Sequence, residues 1–430
     1  MKKLLLSLSL SLYLSANSLT VYNNIANVDS TIPVDLKKGE NIIYLNSFSK
    51  KIIPNSTMFS LKEGLILNSK EYNLNKLSST SLLQYFKGKR VLYKNKPVTI
   101  EESNPLLIRD INGSIFLGDK QFIKFDSVPK ELRASITLNI SSKEDKYSSL
   151  HFSYLTNGLT WYSNYSAFLD KHRNIHLKGF YSVENKTGID FKDTSISFVA
   201  GKLNTIKQKR KMIPMVMKSI APTAKQEKIN AYHMYTLPYK VTLRNNTLKD
   251  FKFIDADNIY YSSFGEYTLN FSNGTFPFKF KNKIEFLNNS DNNLGIPFPQ
   301  GDIRFYEKDS IGTYRLVGES HIEDTAKNKR ISLSLGTLFD ISGKVITTQY
   351  KNDSYELSST QQIIVTNNSD KFKVLKIKYV IPSYKNVVLQ DTCAENCEKE
   401  VINDFTGTYI IKLPGNSEYS FDREIFISKD

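Results

Sequence analysis

The feature that most constrains the fold is a two-residue period, in which apolar and polar side chains alternate along most of the chain. The stretch 175–183 illustrates it, because its odd-numbered residues are apolar or glycine and its even-numbered residues are mostly polar. Residues two apart in an extended chain share one face, so this pattern predicts strands with one buried and one solvent-facing side. Long stretches with the period of an amphipathic helix are scarce. The sequence therefore predicts an all-β fold with few helices.

Turn signals punctuate these predicted strands. Three Asn-Gly pairs, at 112–113, 157–158 and 273–274, stand between β-type runs. Such pairs suit two-residue turns that need a left-handed backbone, so each predicts a β-hairpin. Between 372 and 381 the apolar residues alternate with one slip in phase. A β-bulge would produce that slip, because it adds one residue to one strand of a pair.

The chain length favours several domains. Five short predicted strands between 89 and 125 suit a small SH3-like barrel or β-roll, and β-sandwich domains account for the rest. The stretch 202–230 lacks strand alternation and is basic; it is interpreted as a flexible linker or as an arm for membrane or partner contact. The predicted regions are a signal peptide at 1–18, an N-terminal β region at 19–78, a small β-barrel-like insert at 79–135, the first part of a β-sandwich at 136–201, the linker at 202–230 and a C-terminal β-sandwich at 231–430.

The first eighteen residues have the order of a secretory signal. Lys2 and Lys3 precede an uncharged run at 4–15, and Ala16 and Ser18 supply small residues where a signal peptidase reads them. That run is short against the roughly 20 residues that span a bilayer, and no later stretch resembles a spanning helix. We expect an exported bacterial protein of the periplasm or outer cell surface, without an integral membrane span.

The charge balance bears on possible partners. Lysine and arginine number 58 against 43 aspartates and glutamates, which gives a formal net charge of +15. Many lysines alternate with apolar residues, as solvent-facing strand positions do. Because export makes nucleic acid an unsuitable partner, attraction to an anionic envelope surface is the better functional reading of this charge.

Two cysteines, Cys393 and Cys397, are the only ones in the chain. In an oxidising compartment they predict a disulfide that closes a small loop. A metal site would need two more ligands, and the nearest histidine in sequence is His321. The spacing also has one residue too many for a thioredoxin-type motif.

Several strings, taken in order, suggest a family. The string 154–165 contains Gly158-Leu159-Thr160-Trp161, and Pro297-Phe298-Pro299-Gln300-Gly301-Asp302 opens the string 297–307. The others are 183–191 leading to 199–201, then 239–243, 316–319 and 335–336. Together they resemble the domain-of-unknown-function 4139 family, whose members include exported bacterial proteins called mucoidy inhibitor A-like.

The resemblance covers about residues 150–430 and implies a fold and a location. The family often has a low-complexity stretch where 202–230 lies here, and Phe191 stands where the family commonly has tryptophan. It supplies no established activity, so no catalytic residue can be assigned from it.

Known catalytic and metal-binding patterns were sought in the sequence. His172 and His176 are four apart, but in an extended strand that spacing separates them by roughly 13 Å, which is too far for shared ligation. Gly318-Glu319-Ser320-His321 resembles a nucleophile elbow only loosely, because the second glycine is missing. Asp255 and Asp257, or Glu323 and Asp324, leave a glycosidase pair open but unsupported. The expectation is no catalytic site, no metal site and no cofactor.

Aromatic residues provide the remaining candidates. The odd-numbered residues of 161–169 predict an inward face typical of a sandwich core. On the opposite face, Tyr162 and Phe168 are candidates for a platform that stacks on sugars or contacts a protein. A second candidate is an exposed aromatic edge made of Tyr260, Tyr261 and Phe264.

Three functions follow from these observations, one of which is a self-assembling surface component that a long uncovered edge strand would favour. The first is a non-enzymatic envelope protein that binds or structurally supports envelope proteins or polysaccharide. The alternative is a glycan-processing hydrolase whose paired carboxylates are brought together by folding. A buried carboxylate pair in a concave site would favour the enzyme, whereas a flat aromatic surface or sheet edge would favour binding.

Overall fold

The computed structural model describes residues 16–73, 77–129, 132–200, 227–229, 232–382 and 386–429. Strands dominate these residues, which also contain one α-helix, α1 (Ser79–Tyr85). The predicted all-β fold class is thus confirmed. The predicted signal peptide up to residue 15 and the predicted linker from 202 to 226 lie outside the described residues.

Strands up to residue 200 are, in chain order, β1 (Ser18–Val21), β2 (Ala26–Leu36), β3 (Gly39–Leu45), β4 (Met58–Ser60), β5 (Leu65–Asn73), β6 (Arg90–Tyr93), β7 (Lys96–Ser103), β8 (Leu106–Arg109), β9 (Ile115–Leu117), β10 (Ile123–Lys124), β11 (Ser135–Ser142), β12 (Lys146–Thr156), β13 (Leu159–Leu169), β14 (Asn174–Asn185) and β15 (Phe191–Ala200). Short 3-10 turns occupy Pro54–Ser56 and Lys120–Phe122.

The later strands are β16 (Glu227–Ile229), β17 (Tyr232–Thr236), β18 (Val241–Leu243), β19 (Thr247–Asn270), β20 (Phe276–Leu287), β21 (Gly301–Lys308), β22 (Tyr314–Ile322), β23 (Arg330–Asn352), β24 (Glu356–Asn367), β25 (Lys373–Val380), β26 (Asn386–Asp391), β27 (Cys397–Asn403), β28 (Thr406–Leu413) and β29 (Ser417–Ser428). A 3-10 turn occupies Ser290–Asn292.

The chain divides into two compact units. Unit 1 comprises Met1–Trp161 and Val183–Lys249, and unit 2 comprises Tyr162–Ser182 and Asp250–Asp430. Each unit therefore takes two separate stretches of chain, and the changes from one unit to the other fall within β13, β14 and β19. The six regions predicted from composition and turn signals stay a prediction.

Unit 1 is built on an eight-stranded sheet in the order β16-β17-β15-β1-β2-β12-β4, with β18 also paired to β15. Strand β1 runs parallel to β15 and antiparallel to β2. A separate three-stranded sheet has the order β3-β11-β5. Trp161 packs against Phe198 and Tyr235, with ring centroids 5.3 Å and 6.5 Å away. The predicted inward face of 161–169 is confirmed, since all five odd-numbered residues are buried.

The five short strands predicted between 89 and 125 form one sheet within unit 1, in the order β10-β6-β7-β8-β9. Helix α1 precedes this sheet and begins with a capping box, in which the Ser78 side chain accepts from the Ser81 backbone N–H. The apolar side chains of this sheet and of α1 share a small core of Leu83, Val91, Val98, Ile100, Leu106 and Ile108.

Unit 2 is built on a thirteen-stranded sheet with the main order β22-β21-β13-β14-β19-β20-β23-β24-β29-β26. The first seven strands of this order enclose one core, which includes Tyr165, Leu177, Phe286, Phe305 and Leu333. Because these seven strands enclose the core, the first of them, β22, lies against the last, β23. A Cβ added to Gly318 of β22 would lie 2.8 Å from the carbonyl oxygen of Leu335 in β23. Such close approach needs glycine, so Gly318 fits its position for a packing reason.

The second core of unit 2 lies farther along the same long strands. Strands β19, β20 and β23 continue into it and are joined there by β24, β25, β28 and β29. Phe278, Phe280, Tyr379, Tyr409 and Phe421 are among its buried side chains. The sheet therefore folds around two successive apolar interiors.

The Asn-Gly pairs do not all form hairpins. Residues 112–113 do, because they join the paired strands β8 and β9. Residues 157–158 turn the chain, but β12 pairs with β2 and β4, whereas β13 lies in the other large sheet. Residues 273–274 lie between β19 and β20, which are antiparallel neighbours whose pairing begins at Glu266 and Lys281. The hairpin prediction at 157–158 is therefore wrong: the turn chemistry was present, but the strand partners differ.

The predicted bulge near residue 375 is also wrong. The register of β25 continues without a shift from 373 to 380 against β28. The buried face is Leu375, Ile377, Tyr379 and Ile381, while Phe372 is 52% exposed. Phe372 and Val374 belong to the opposite face, so the apparent slip in phase arose from two partly exposed apolar residues.

Buried asparagines close the ends of two strands in the same way. Asn185 ends β14 and Asn367 ends β24, and both are at most 1% exposed. Each side-chain oxygen accepts from the backbone N–H and hydroxyl of the residue two positions later, Thr187 or Ser369. Each side-chain nitrogen donates to backbone carbonyls. One arrangement thus recurs in unit 1 and in unit 2.

Candidate functional site

Two hairpins of unit 2 end side by side. The turn at 170–174 joins β13 to β14, and the turn at 309–313 joins β21 to β22. Both turns begin with an aspartate, whose carboxylate accepts the backbone N–H groups two and four residues later. Because β13 and β21 run parallel in register, the two turns that follow them lie side by side at the same end of these strands.

Aromatic side chains lie together on the outward face next to these turns. Phe168 is paired in register with Tyr306, and their ring centroids are 5.4 Å apart in a stacked arrangement. The Tyr314 ring meets Phe168 edge to face at 4.9 Å, and the His176 ring lies 5.7 Å from it. Together with Lys178 and Lys308, these four residues are called here the aromatic surface.

Strand alternation explains why this surface points outward. The neighbours Ala167, Ile175 and Phe305 are fully buried in the first core of unit 2. Phe168, His176 and Tyr306 have the opposite phase and are half-buried, and Tyr314 is 47% exposed. The rings therefore pack against one another while each side chain remains partly exposed to solvent.

His176 is held between two carboxylates. Its Nε2 lies 2.7 Å from Asp255 Oδ1, and its Nδ1 lies 3.5 Å from Asp257 Oδ1. Lys252 Nζ lies 2.8 Å from Asp255 Oδ2. The hydrogen bond from His176 and then that from Lys252 lower the pKa of Asp255 to about 2. The arrangement fixes the imidazole beside Phe168 and keeps Asp255 ionised.

This pair leads to a prediction about acid. The pKa of Asp255 is lowered from its ordinary value of 3.8 in the folded state, so its interactions stabilise the fold above that value and are lost as the pH falls towards 2. We expect the Asp255 carboxyl carbon to titrate in NMR with a midpoint near 2. The Asp255→Asn variant should lose less thermal stability than the wild type between about pH 4 and pH 2.

The control for this experiment is Asp404→Asn, which changes an exposed aspartate in the turn between β27 and β28. An Asp255 midpoint near 4, or an unchanged acid dependence in Asp255→Asn, would contradict the prediction.

The structure separates the predicted contact residues. Phe168 lies within the aromatic surface, and Tyr162 and Tyr260 are 50% and 58% exposed. Tyr261 and Phe264 are only 9% and 5% exposed, so they do not form the expected aromatic edge. Tyr261 packs into the first core of unit 2, and Lys376 Nζ lies over the Phe264 ring at 4.0 Å. The expectation failed because these two residues lie on opposite faces of β19 and neither is open to solvent.

The two cysteines lie close enough to form the predicted disulfide. Cys393 Sγ and Cys397 Sγ are 2.13 Å apart, which is bonding distance, and their Cα atoms are 5.3 Å apart. They close the short turn between β26 and β27. Next to this turn, Lys399 Nζ lies 2.5 Å from Asp391 Oδ2.

Two of the strings that carry the family resemblance meet in unit 2. Ser163 Oγ donates to the Gln300 carbonyl at 2.5 Å, and the Tyr165 hydroxyl donates to the Pro299 carbonyl at 2.6 Å. Gly301 is paired with Ser163, whose backbone leaves no room there for a Cβ. The strings therefore position β21 against β13, and so place Tyr306 beside Phe168.

No protein-family model matches the chain, and no curated protein matches it in sequence. The resemblance to the domain-of-unknown-function 4139 family therefore stays a prediction. Among the described residues, no helix has both the length and the apolar character to cross a membrane. Within that same part of the chain, no three histidine, cysteine or acidic side chains are grouped so as to hold a metal ion.

Sequence reasoning missed Tyr306, Tyr314 and the role of His176. Alternation alone places each of them on an outward face. Their association with Phe168 depends on the parallel pairing of β13 with β21, which joins strands far apart in the chain. The sequence signal that could have located these residues was the aspartate at the start of each turn, Asp170 and Asp309, because each marks the end of a hairpin.

Proposed function

We propose that this chain is an exported, non-enzymatic binding protein of the cell envelope whose aromatic surface binds a polysaccharide. The observation that carries the proposal is the contact of Phe168 with Tyr306 and Tyr314 on the outward face of neighbouring strands. Such rings present rigid apolar area at low entropic cost, as aromatic residues do at binding surfaces. The apolar C–H faces of sugar rings are suited to lie against them.

Polar groups surround these rings and supply the hydrogen bonds that sugar hydroxyls need. His176, Asp255 and Asp257 are joined beside the Phe168 ring, and Asp309 and Arg315 are paired at the turn next to Tyr314. The Arg315 guanidinium and the backbone N–H groups of the turn lower the pKa of Asp309, which keeps that carboxylate ionised. Aromatic faces bordered by fixed polar groups are the composition expected of a ligand-binding surface.

Export and the envelope location have independent support. The N-terminal residues have the order of a secretory signal, and the cysteine pair at bonding distance suits an oxidising compartment. The family resemblance implies the same location. A basic chain would also be drawn to an anionic envelope surface.

The alternative of a glycan-processing hydrolase is less favoured. Such an enzyme needs a carboxylic acid whose pKa is raised so that it can donate a proton. Asp255 has its pKa lowered instead, because His176 and Lys252 hold it ionised. Glu266 is little exposed, but it is paired with Lys283 and Lys378. Burial raises the pKa of Asp29, but its carboxylate is paired with His151 at 3.0 Å. These carboxylates suit structural or binding roles better than acid catalysis.

Affinity electrophoresis tests the proposal. The purified chain is run through gels that contain a soluble polysaccharide, either polygalacturonate or the neutral polymer made by reducing its carboxyl groups. We expect retardation of the wild type. Because each lost aromatic contact costs about 1 kcal/mol, the double variant Phe168→Ala/Tyr314→Ala should bind about tenfold or more weakly.

The matched control is Tyr355→Ala, which removes a 71% exposed tyrosine from another turn of unit 2. It should be retarded like the wild type. Circular dichroism establishes that each variant is folded. Absence of retardation by every polymer, or equal retardation of the double variant, would overturn the proposal.

A further inference from the structure

Two lysines accompany the rings of the aromatic surface. Lys178 Nζ lies 5.8 Å from the Phe168 ring centroid, and Lys308 Nζ lies 5.2 Å from the Tyr314 ring centroid. At such distances an ammonium group is attracted to the ring face. The rings therefore help to hold positive charge where a ligand on the aromatic surface would meet it.

Three cations of the neighbouring strands are already paired. Arg315 is paired with Asp309, Arg304 with Glu319, and Lys252 with Asp255, with nitrogen–oxygen distances of 2.8, 2.7 and 2.8 Å. Among the described residues, neither Lys178 nor Lys308 has a carboxylate within ion-pair distance. Asp255 is close enough to feel the charge of Lys178, but its oxygens are bound to His176 and Lys252.

We propose that the ligand of the aromatic surface is an acidic sugar polymer, whose carboxylate or phosphate groups pair with Lys178 and Lys308. This inference rests on the proposed function and names its ligand class. A neutral polymer offers these ammonium groups only hydroxyl oxygens, whereas an acidic one supplies a counter-charge to each. Side chains already joined in ion pairs contribute little to this discrimination, because their charges are mutually compensated.

The test compares three polymers that differ in charge. Polygalacturonate carries carboxylates, its carboxyl-reduced form is neutral, and phosphomannan carries phosphates. Dissociation constants are measured by titration calorimetry at low and high salt. We expect the wild type to bind at least one acidic polymer about tenfold more tightly than the neutral one, with the preference falling as salt screens the charges.

The variant Lys178→Met/Lys308→Met keeps the apolar stems and removes both charges. It should lose about tenfold in affinity for the acidic polymer, so that its preference over the neutral polymer disappears. Lys344→Met is the control, because it removes an exposed lysine from β23 and should change neither affinity. Preference for polygalacturonate over phosphomannan, or the reverse, identifies the anionic group.

The outcomes separate this inference from the function on which it rests. Equal binding of neutral and acidic polymers, lost in Phe168→Ala/Tyr314→Ala, would overturn the acidic ligand and keep the proposed function. An unchanged acidic preference in the lysine variant would also overturn the inference. Absence of binding to all three polymers would overturn both.

Discussion

Replacing Gly343 with valine is expected to destabilise unit 2 by about 3 kcal/mol or more. Gly343 lies opposite Phe278 in the β20–β23 pair, and the aromatic ring covers the glycine so closely that an added Cβ would overlap it. The ring cannot simply turn away, because it also stacks on Tyr267 with ring centroids 4.0 Å apart. Overpacking at this point therefore forces strain into the backbone of two long strands.

The measurement is the free energy of unfolding from chemical denaturation, monitored by circular dichroism. Lys344→Val is the control, since it places the same side chain at the next residue, which is exposed. Its free energy of unfolding should change by less than about 1 kcal/mol. The milder pair Gly343→Ala and Gly343→Ala/Phe278→Leu tests the cause, because the smaller leucine should relieve part of the overlap. Equal stability of Gly343→Val and Lys344→Val would contradict this account.

Replacing Asn367 with alanine is expected to cost about 3 kcal/mol. The buried side chain donates to the carbonyls of Lys371 and Pro414 at 2.9 Å and 2.7 Å, and it accepts the Ser369 backbone N–H at 3.0 Å. Alanine would leave these groups without partners in a buried place, and each such group costs roughly 1–3 kcal/mol. Relaxation and entering water offset part of that sum.

The neighbouring residue provides a matched control. Asn368 is exposed, so Asn368→Ala should change the free energy of unfolding by less than about 0.5 kcal/mol. Asn367→Asp keeps the shape and the acceptor but replaces the donating nitrogen with an oxygen that faces carbonyls. It should therefore also destabilise unit 2, and more strongly when the carboxylate is ionised. Wild-type stability of Asn367→Ala would show that water replaces the side chain fully.

Local pattern was sufficient for many of the strands and for some of their buried faces. The alternation within 161–169 and the five short strands between 89 and 125 follow from side-chain period and turn residues, which are properties of neighbouring positions. Asn-Gly likewise predicted where the chain turns. It could not identify which strands become neighbours, since turn residues fix backbone angles and not partners.

The candidate site depended on non-local pairing. Phe168 was recognised as an outward aromatic residue, but its contacts Tyr306 and Tyr314 arrive through β21 and β22. Tyr261 and Phe264 read as exposed for the same reason, because their cover comes from strands elsewhere in the chain. The burial of Asn185 and Asn367 could not be predicted from the sequence, because an asparagine next to a turn is normally exposed.

The length of β19 links the position of Asp255 to packing far along the same strand. Ile254 and Ile259 lie in the first core of unit 2, while Leu269 lies in the second. A slide of this strand by one residue would turn its side chains to the opposite face, and it would expose apolar residues in both interiors together. Asp255 would then lose His176. The second core thus acts as an anchor that keeps the aromatic surface in register, although its residues lie far from that surface along the strand.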